Sequence, residues 1–288
     1  MVVAASLAIA TSAPLAKTAE GLSAIGLGAG RCGVAALAII VIMPGATTRA
    51  IRALRTKQKL ALLGVGVILA AHFALFLGGL LATSLPAAVA LVSLEPLAVV
   101  LTAWASFGIR PTTREWLGIS LATAGAIVVA RGAGEGEHRL FGDMLVVGAV
   151  VLYGAYVAAA RGLRDAMPVL PYAAAVYGVA ALALLPFAVI IASRSGGAPP
   201  PYRTWIVVAT MGLLPTLVGH TLIQRLSRRV APAVVALVSP GETVGSIAIG
   251  AFALGAWPTA NEWTGTALVL AGATLAITSR SPEPAAQG

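Results

Sequence analysis

Five ionisable side chains stand inside long apolar runs: Arg31, His72, Glu95, His220 and Glu242. A charge at the centre of a bilayer costs about 2.5–3.5 kcal/mol on insertion scales, so each must face protein or water. Glu95 is followed at once by Pro96, and Glu242 comes just after Pro240-Gly241. Proline removes an amide donor and frees a carbonyl one turn back. Each glutamate therefore sits beside weakened backbone, which a membrane tolerates only where protein or a cavity satisfies it. Two chemistries fit. A protonated carboxyl bonded to a freed carbonyl would glue helices together, whereas a cavity-lining carboxyl would contact a substrate or carry a proton. His72 and His220, 148 residues apart, offer the same choice between a carbonyl-bonded imidazole and a proton-sensitive gate. Arg31 reads as an ion-pair or carbonyl clamp within the bundle, or as an anion site. Three His and one Cys without suitable spacing predict no metal site. No nucleotide-binding loop is present either, so no cofactor is expected.

The elements that must position these groups are duplicated. Pro86-Ala-Ala-Val-Ala-Leu-Val-Ser93 matches Pro232-Ala-Val-Val-Ala-Leu-Val-Ser239 at a separation of 146. After one inserted residue the separation becomes 147. Glu95 then falls on Glu242, Gly108 on Gly255, Pro111 on Pro258, Glu115-Trp116 on Glu262-Trp263, Gly118 on Gly265 and Gly125 on Gly272. Chance does not hold register through so many special residues. The chain is a repeated unit of 147 residues, the mark of a transporter scaffold.

Composition sets the solvent. With 59% hydrophobic and 10% charged positions in 288 residues, a soluble domain is excluded, since soluble chains carry about 25% charged residues. The net charge of +9 is spread through loops between apolar runs, which speaks for topology and against a nucleic-acid partner. Ten spans fit, at residues 2–17, 22–43, 60–80, 86–107, 116–130, 140–160, 171–192, 202–222, 232–255 and 263–278. The predicted fold is an all-α integral membrane protein of ten transmembrane helices. Its two inverted five-helix repeats cover residues 1–139 and 140–280, with a disordered tail over residues 281–288. With both termini inside, 13 Lys and Arg lie in inside loops and five in outside loops. That bias predicts a multi-pass protein of the cell (inner or plasma) membrane with cytoplasmic termini. An odd number of spans per repeat inverts the second copy relative to the first.

The turn before each repeat's last span carries a capping box, Thr112-Thr-Arg-Glu115 and Thr259-Ala-Asn-Glu262, which gives Glu115 and Glu262 a structural role. The four repeated glycines predict close helix approach. Lys17 reads as interfacial or cavity-facing.

The whole chain resembles the EamA-type transporters of the drug/metabolite transporter superfamily. The resemblance is carried by Leu91-Val-Ser-Leu-Glu-Pro-Leu97 with Gly118 and Gly125, and by the repeat Val238-Ser-Pro-Gly-Glu-Thr-Val244. His72-Phe73, Gly219-His220, Lys17 and Arg31 add to it. It implies ten helices in two inverted halves, a central cavity, and export or exchange of small metabolites. The chain departs from the family where Ile109-Arg110 and Ala256-Trp257 replace the acidic residue usual before Pro111 and Pro258, and where Glu242 is followed by Thr243 in place of proline.

The function expected is therefore a secondary transporter that exports or exchanges a small metabolite, amino-acid-like or a related compound, by alternating access, with proton coupling open. Glu95, Glu242, His72, His220 and Arg31 are its candidate pathway residues. Its expected partners are that small-molecule substrate and the lipid bilayer, as a monomer or homodimer. The rival is an integral membrane enzyme acting on lipid-linked substrates. That needs clustered Asp/His ligands, or a nucleophile with its base, at the membrane surface. The inside loops offer almost only Arg, with Asp165 the single Asp. An aromatic content of 6% argues against a large aromatic-lined pocket.

Overall fold

Prolines and glycines decide how the apolar runs fold. The computed structural model describes residues 1–134, 136–160, 163, 166–196, 199–226 and 238–278, and every regular element among them is a helix. The chain begins with α1 (Val2–Ala10), α2 (Ser12–Lys17), α3 (Ala24–Ile42) and α4 (Ala46–Ala53). It continues with α5 (Thr56–Ala82), α6 (Leu85–Val92), α7 (Glu95–Phe107) and α8 (Thr113–Arg131). Then follow α9 (Leu140–Ala160), α10 (Val169–Ser195) and α11 (Tyr202–Met211), which runs through a π-helical stretch, Gly212–His220, into α12 (Thr221–Leu226). Last come α13 (Val238–Leu254) and α14 (Ala260–Ile277).

Among the described residues six helical runs are long and apolar enough to cross a membrane: Ala24–Ile42, Thr56–Ala82, Leu85–Phe107, Leu140–Ala160, Val169–Ser195 and Tyr202–Leu226. The expectation of ten is met only in part, for identifiable reasons. Val2–Lys17 and Val238–Leu254 are apolar but shorter. The predicted start of the second of these, and the predicted tail, lie outside the described residues. The helix α8 is diluted by Arg114, Glu115 and Arg131, and α14 by polar residues in its first two turns. The basic stretch read as a loop contains α4, which lays Ile51 on the core while Arg49 and Arg52 stay exposed.

Where a run breaks, a proline lies close by. Pro14 cannot bond the carbonyl of Ala10, four residues back, and the helix is interrupted at Thr11. Ser246 Oγ of α13 donates to that freed carbonyl at 2.9 Å. Pro215 likewise abandons the carbonyl of Met211, the helix widens into its π stretch, and Thr216 Oγ1 donates to Met211 O at 2.7 Å. Pro96 abandons Val92, and the run breaks between α6 and α7 immediately before Glu95. Thr243 Oγ1 of α13 then reaches the carbonyl of Val89 at 3.1 Å and also pairs with Ser93. Hydroxyls thus replace the lost amides at Pro14 and Pro215, and Ser246 and Thr243 tie α13 to the first and third of the broken runs.

Packing follows the duplication. The helix α5 packs on α9, α7 on α9 and α10 on α5. The repeat-equivalent contacts, Gly212–His220 on α1, α13 on α1 and α3 on Gly212–His220, are all present. The most extensive pairing joins α8 to its own duplicate α14. There Gly118 faces Gly272 and Gly125 faces Gly265, so the two run antiparallel. That contact maps onto itself when the repeats are exchanged. Both capping boxes form: Glu115 and Glu262 each accept their N-cap amide at 2.7 Å, while Thr112 and Thr259 accept in return. Gly108 and Gly255, equivalent in the repeat, end α7 and α13 in the left-handed conformation at φ 69° and 68°.

Candidate functional site

A small central cavity of about 30 Å³ lies where α2, α3, α5, α7, α9, the π stretch and α13 converge. It has room for about one water molecule. Arg31, His72, Glu95, His220 and Glu242 all line it, so residues far apart in sequence and drawn from both repeats share one wall. Phe73, Phe76, Tyr153 and Ser12 complete most of the lining. Three of the chain's 16 aromatics therefore reach this small cavity, which is not the large aromatic-lined pocket that the low aromatic content argued against.

Arg31 is fully buried on α3. Its Nε donates to Thr216 Oγ1 at 2.9 Å and its Nη1 to Ser12 Oγ at 3.0 Å. The guanidinium carbon stands 4.4 Å from the centre of the Phe73 ring, a cation–π distance. Both hydroxyls belong to proline-disturbed segments, and Thr216 relays Arg31 to the Met211 carbonyl that Pro215 freed. The kinks therefore aim the arginine. Nη2 is left without a hydrogen-bond partner among the described residues. Arg31 thus bonds two hydroxyls, where the sequence offered an ion pair, carbonyls or an anion as its partner.

Glu95 opens α7 and Glu242 stands one turn into α13, both half-buried on the cavity wall. Neither carboxyl has a hydrogen-bond partner among the described residues, so the helix-to-helix bond that one reading required is not formed there. Close approach brings α13 in: a Cβ at Gly241 would lie 2.6 Å from Ser6 Oγ, and one at Gly245 2.7 Å from Ala10 Cβ. His72 does make the bond expected of a structural imidazole, Nδ1 to the Ala149 carbonyl at 2.9 Å. It also stacks on Phe76, with ring centres 6.3 Å apart and planes 8° from parallel. His220, at the end of the π stretch, meets the Phe73 ring edge-on at 5.7 Å. Phe73 thus touches both the guanidinium and the second imidazole.

Sequence reasoning missed Ser12, Phe76 and Tyr153 as neighbours of the cavity. For Ser12 the signal was Pro14, two residues on. Lys17 is not on the cavity: it donates to the Thr83 carbonyl at 2.7 Å and pairs with Glu137 at 3.3 Å. Among the described residues no cluster of three His, Cys, Asp or Glu has the arrangement of a metal site.

The duplicated architecture and shared cavity agree with family comparison. The model of the EamA-like transporter family matches residues 1–131 and again residues 140–278. The chain belongs to the EamA-like transporter family. As an EamA protein it is a multi-pass membrane protein in a family of transporters. A solved structure, titled only as the crystal structure of a protein, is similar to this EamA chain at TM-score 0.65 and 19% identity. The match covers 96% of this chain and 94% of that one, which extends the likeness in fold to nearly the full length. No curated protein matches the chain by sequence.

Proposed function

We propose that this protein is a secondary transporter that exports or exchanges a small, amino-acid-like metabolite across the cell membrane by alternating access. The observation that carries the reading is the meeting of Glu95 and Glu242, equivalent in the two repeats, on one cavity wall with Arg31. Two carboxyls without hydrogen-bond partners suit an amine or a transported proton, and a guanidinium with one free nitrogen suits a carboxylate. His72 and His220 form the aromatic and imidazole part of the same pathway. The scaffold we infer has ten crossings in two inverted halves, residues 1–139 and 140–280, with cytoplasmic termini. The antiparallel pairing of α8 with its duplicate α14 supports the inversion, because a two-fold axis in the membrane plane reverses every equivalent helix. A cavity that holds one water admits a metabolite only when the helices part, which alternating access requires.

The test is uptake into everted vesicles or proteoliposomes with a panel of labelled amino acids and related metabolites, with and without a pH gradient. Glu95→Gln and Glu242→Gln keep volume and hydrogen bonding but remove titration. At least one of them should fold normally and lose transport or its pH dependence. If both transport at the parental rate and with the parental pH profile, the carboxyls are structural and this reading fails.

A further inference from the structure

At one end of α5 ionisable groups are paired. Lys17 meets Glu137 at 3.3 Å, and the buried ring of His138 stands 2.7 Å from Asp143 and 3.7 Å from Glu262. At the other end the basic stretch after α3 has no such partners. Arg49, Arg52, Arg55, Lys57 and Lys59 are all exposed, and no Asp or Glu occurs between Glu20 and Glu95. The helix α10, which packs on α4, contains none either. Among the described residues none of the five cations lies within pairing distance of a carboxylate. Clusters of about four to eight Lys and Arg beside a membrane-spanning helix attract anionic lipid.

A cavity of about 320 Å³, roughly ten times the central one, lies beside these cations. It is bounded by the end of α3, the start of α4 and the first half of α10, and ligand pockets begin at about 300 Å³. Most of its wall is apolar. Ile40, Met43 and Leu182 on that wall are exposed, so in a multi-pass membrane protein this side opens toward acyl chains. The polar side is the start of α4, with Gly45, Thr47 and Thr48. Thr47 Oγ1 is shut off from solvent and has no hydrogen-bond partner among the described residues. Gly45, the N-cap, has no side chain to bond the amides of the first turn. The Arg49 guanidinium folds back over this end: a Cβ on Gly45 would lie 3.0 Å from Arg49 Nη1. A cation over the positive end of a helix is badly placed unless an anion comes between them. The charge, the unbonded hydroxyl and the uncapped amides all ask for a phosphate, and the apolar wall asks for a chain.

We propose that this cavity binds one anionic glycerophospholipid. Its phosphate sits at the start of α4, accepting from the Thr47 hydroxyl and the first-turn amides, with Arg49 and Arg52 supplying the opposite charge. An acyl chain lies along the apolar wall between α3 and α10. A zwitterionic lipid carries the same phosphate but brings its own cation, which the uncompensated arginines repel. The bound lipid thus fastens the amphipathic α4 to the bundle at the membrane surface. The site stands apart from the central cavity, and its test does not depend on transport.

The test is native mass spectrometry of the purified, delipidated protein in detergent, with phosphatidylglycerol and phosphatidylcholine of identical chains. The parent should retain one phosphatidylglycerol per chain in preference to phosphatidylcholine. Arg49→Gln and Arg52→Gln, at exposed positions, should each weaken that binding about fivefold, the effect of one basic residue near a membrane surface. Arg203→Gln, exposed but outside the stretch, should leave it unchanged. A Cβ at Gly178, on the cavity wall, meets only the Ala36 Cβ at 4.0 Å, so Gly178→Leu starts into open space. It should weaken binding with every cation still in place. Inorganic phosphate at equal concentration should not displace the lipid; if it does, the site takes a free anion and the proposal fails. Equal retention of the two lipids by the parent, or parental binding in both arginine variants or in Gly178→Leu, would overturn it. So would an equal loss in Arg203→Gln, which would assign the attraction to overall charge.

Discussion

Replacing Gly118 or Gly272 by alanine should loosen the tightest joint in the molecule. A Cβ on Gly118 would lie 2.5 Å from the Gly272 carbonyl oxygen, and one on Gly272 would lie 2.5 Å from both Gly118 O and Ala122 N. Ordinary contact begins near 3.4 Å, so either substitution must open the interface locally by about 0.9 Å. The obstructing atoms are backbone, and no side chain can swing aside to absorb the clash. A gap of 0.5–1 Å forfeits roughly a quarter to a half of the attraction across each contact it opens. Overpacking of this kind costs about 1–3 kcal/mol, partly offset by up to about 1 kcal/mol of better helix propensity. The net loss of about 1–2 kcal/mol corresponds to roughly 2–8 °C in melting temperature for a chain of this size. Gly64 supplies the control, because a Cβ there meets nothing within 4 Å. Melting in detergent, followed by fluorescence-detected size exclusion, should place Gly118→Ala and Gly272→Ala below the parent and Gly64→Ala at or above it. The double substitution should cost less than the sum, since the second Cβ enters space the first has opened. If the two interface variants melt no lower than Gly64→Ala, the packing argument is wrong.

Two further outcomes follow from features shared by the repeats. Thr112→Ala and Thr259→Ala each remove an N-cap acceptor and should lower stability by about 1 kcal/mol, with serine restoring it; equal melting of the alanine and serine variants would deny the caps a role. For topology, cysteines at Thr56 and Arg131 in a Cys32→Ala background should label from the cytoplasmic and external sides respectively. Reversed labelling would overturn the orientation, and labelling from one side at both positions would overturn the number of crossings between them.

Much of this architecture was legible because duplication converts sequence into geometry. One copy of Thr-x-x-Glu or of a glycine pair is weak evidence, whereas two copies in register predict a cap and a close contact, and both are present. Residues 140–160 could be bounded correctly because Arg139 and the glycine-rich loop before it leave no alternative start. The broken helices were half legible. Pro96 announced the break at Glu95, but nothing in the sequence near Pro14 or Pro215 tells that the freed carbonyls are taken up by Ser246 and Thr216. The cluster of His138, Asp143 and Glu262 was not legible at all: His138 stands just before residues 140–160, Asp143 within them, and Glu262, already explained by its cap, over a hundred positions away. Hydrophobic periodicity reports which face of a helix is buried and says nothing about which polar ends meet. The helix count fell short of ten for other reasons: Val2–Lys17 and Val238–Leu254 are short, and α8 and α14 give their contact faces to glycine and carry polar residues in their first turns.

The π stretch at Gly212–His220 makes the two halves mechanically unlike. Its counterpart is the 27-residue α5, which runs without a break from Thr56 to Ala82 and carries His72 on a rigid rod. His220 instead rides on a joint whose backbone bonds are already rearranged around Pro215. On the alternating-access reading proposed above, α5 would act as a lever and its partner as an elbow. The energy barrier for exposing the cavity to one side need not equal that for the other. A carrier built from two duplicated halves would then still open to its two sides at different rates, because only one half carries a proline at this place.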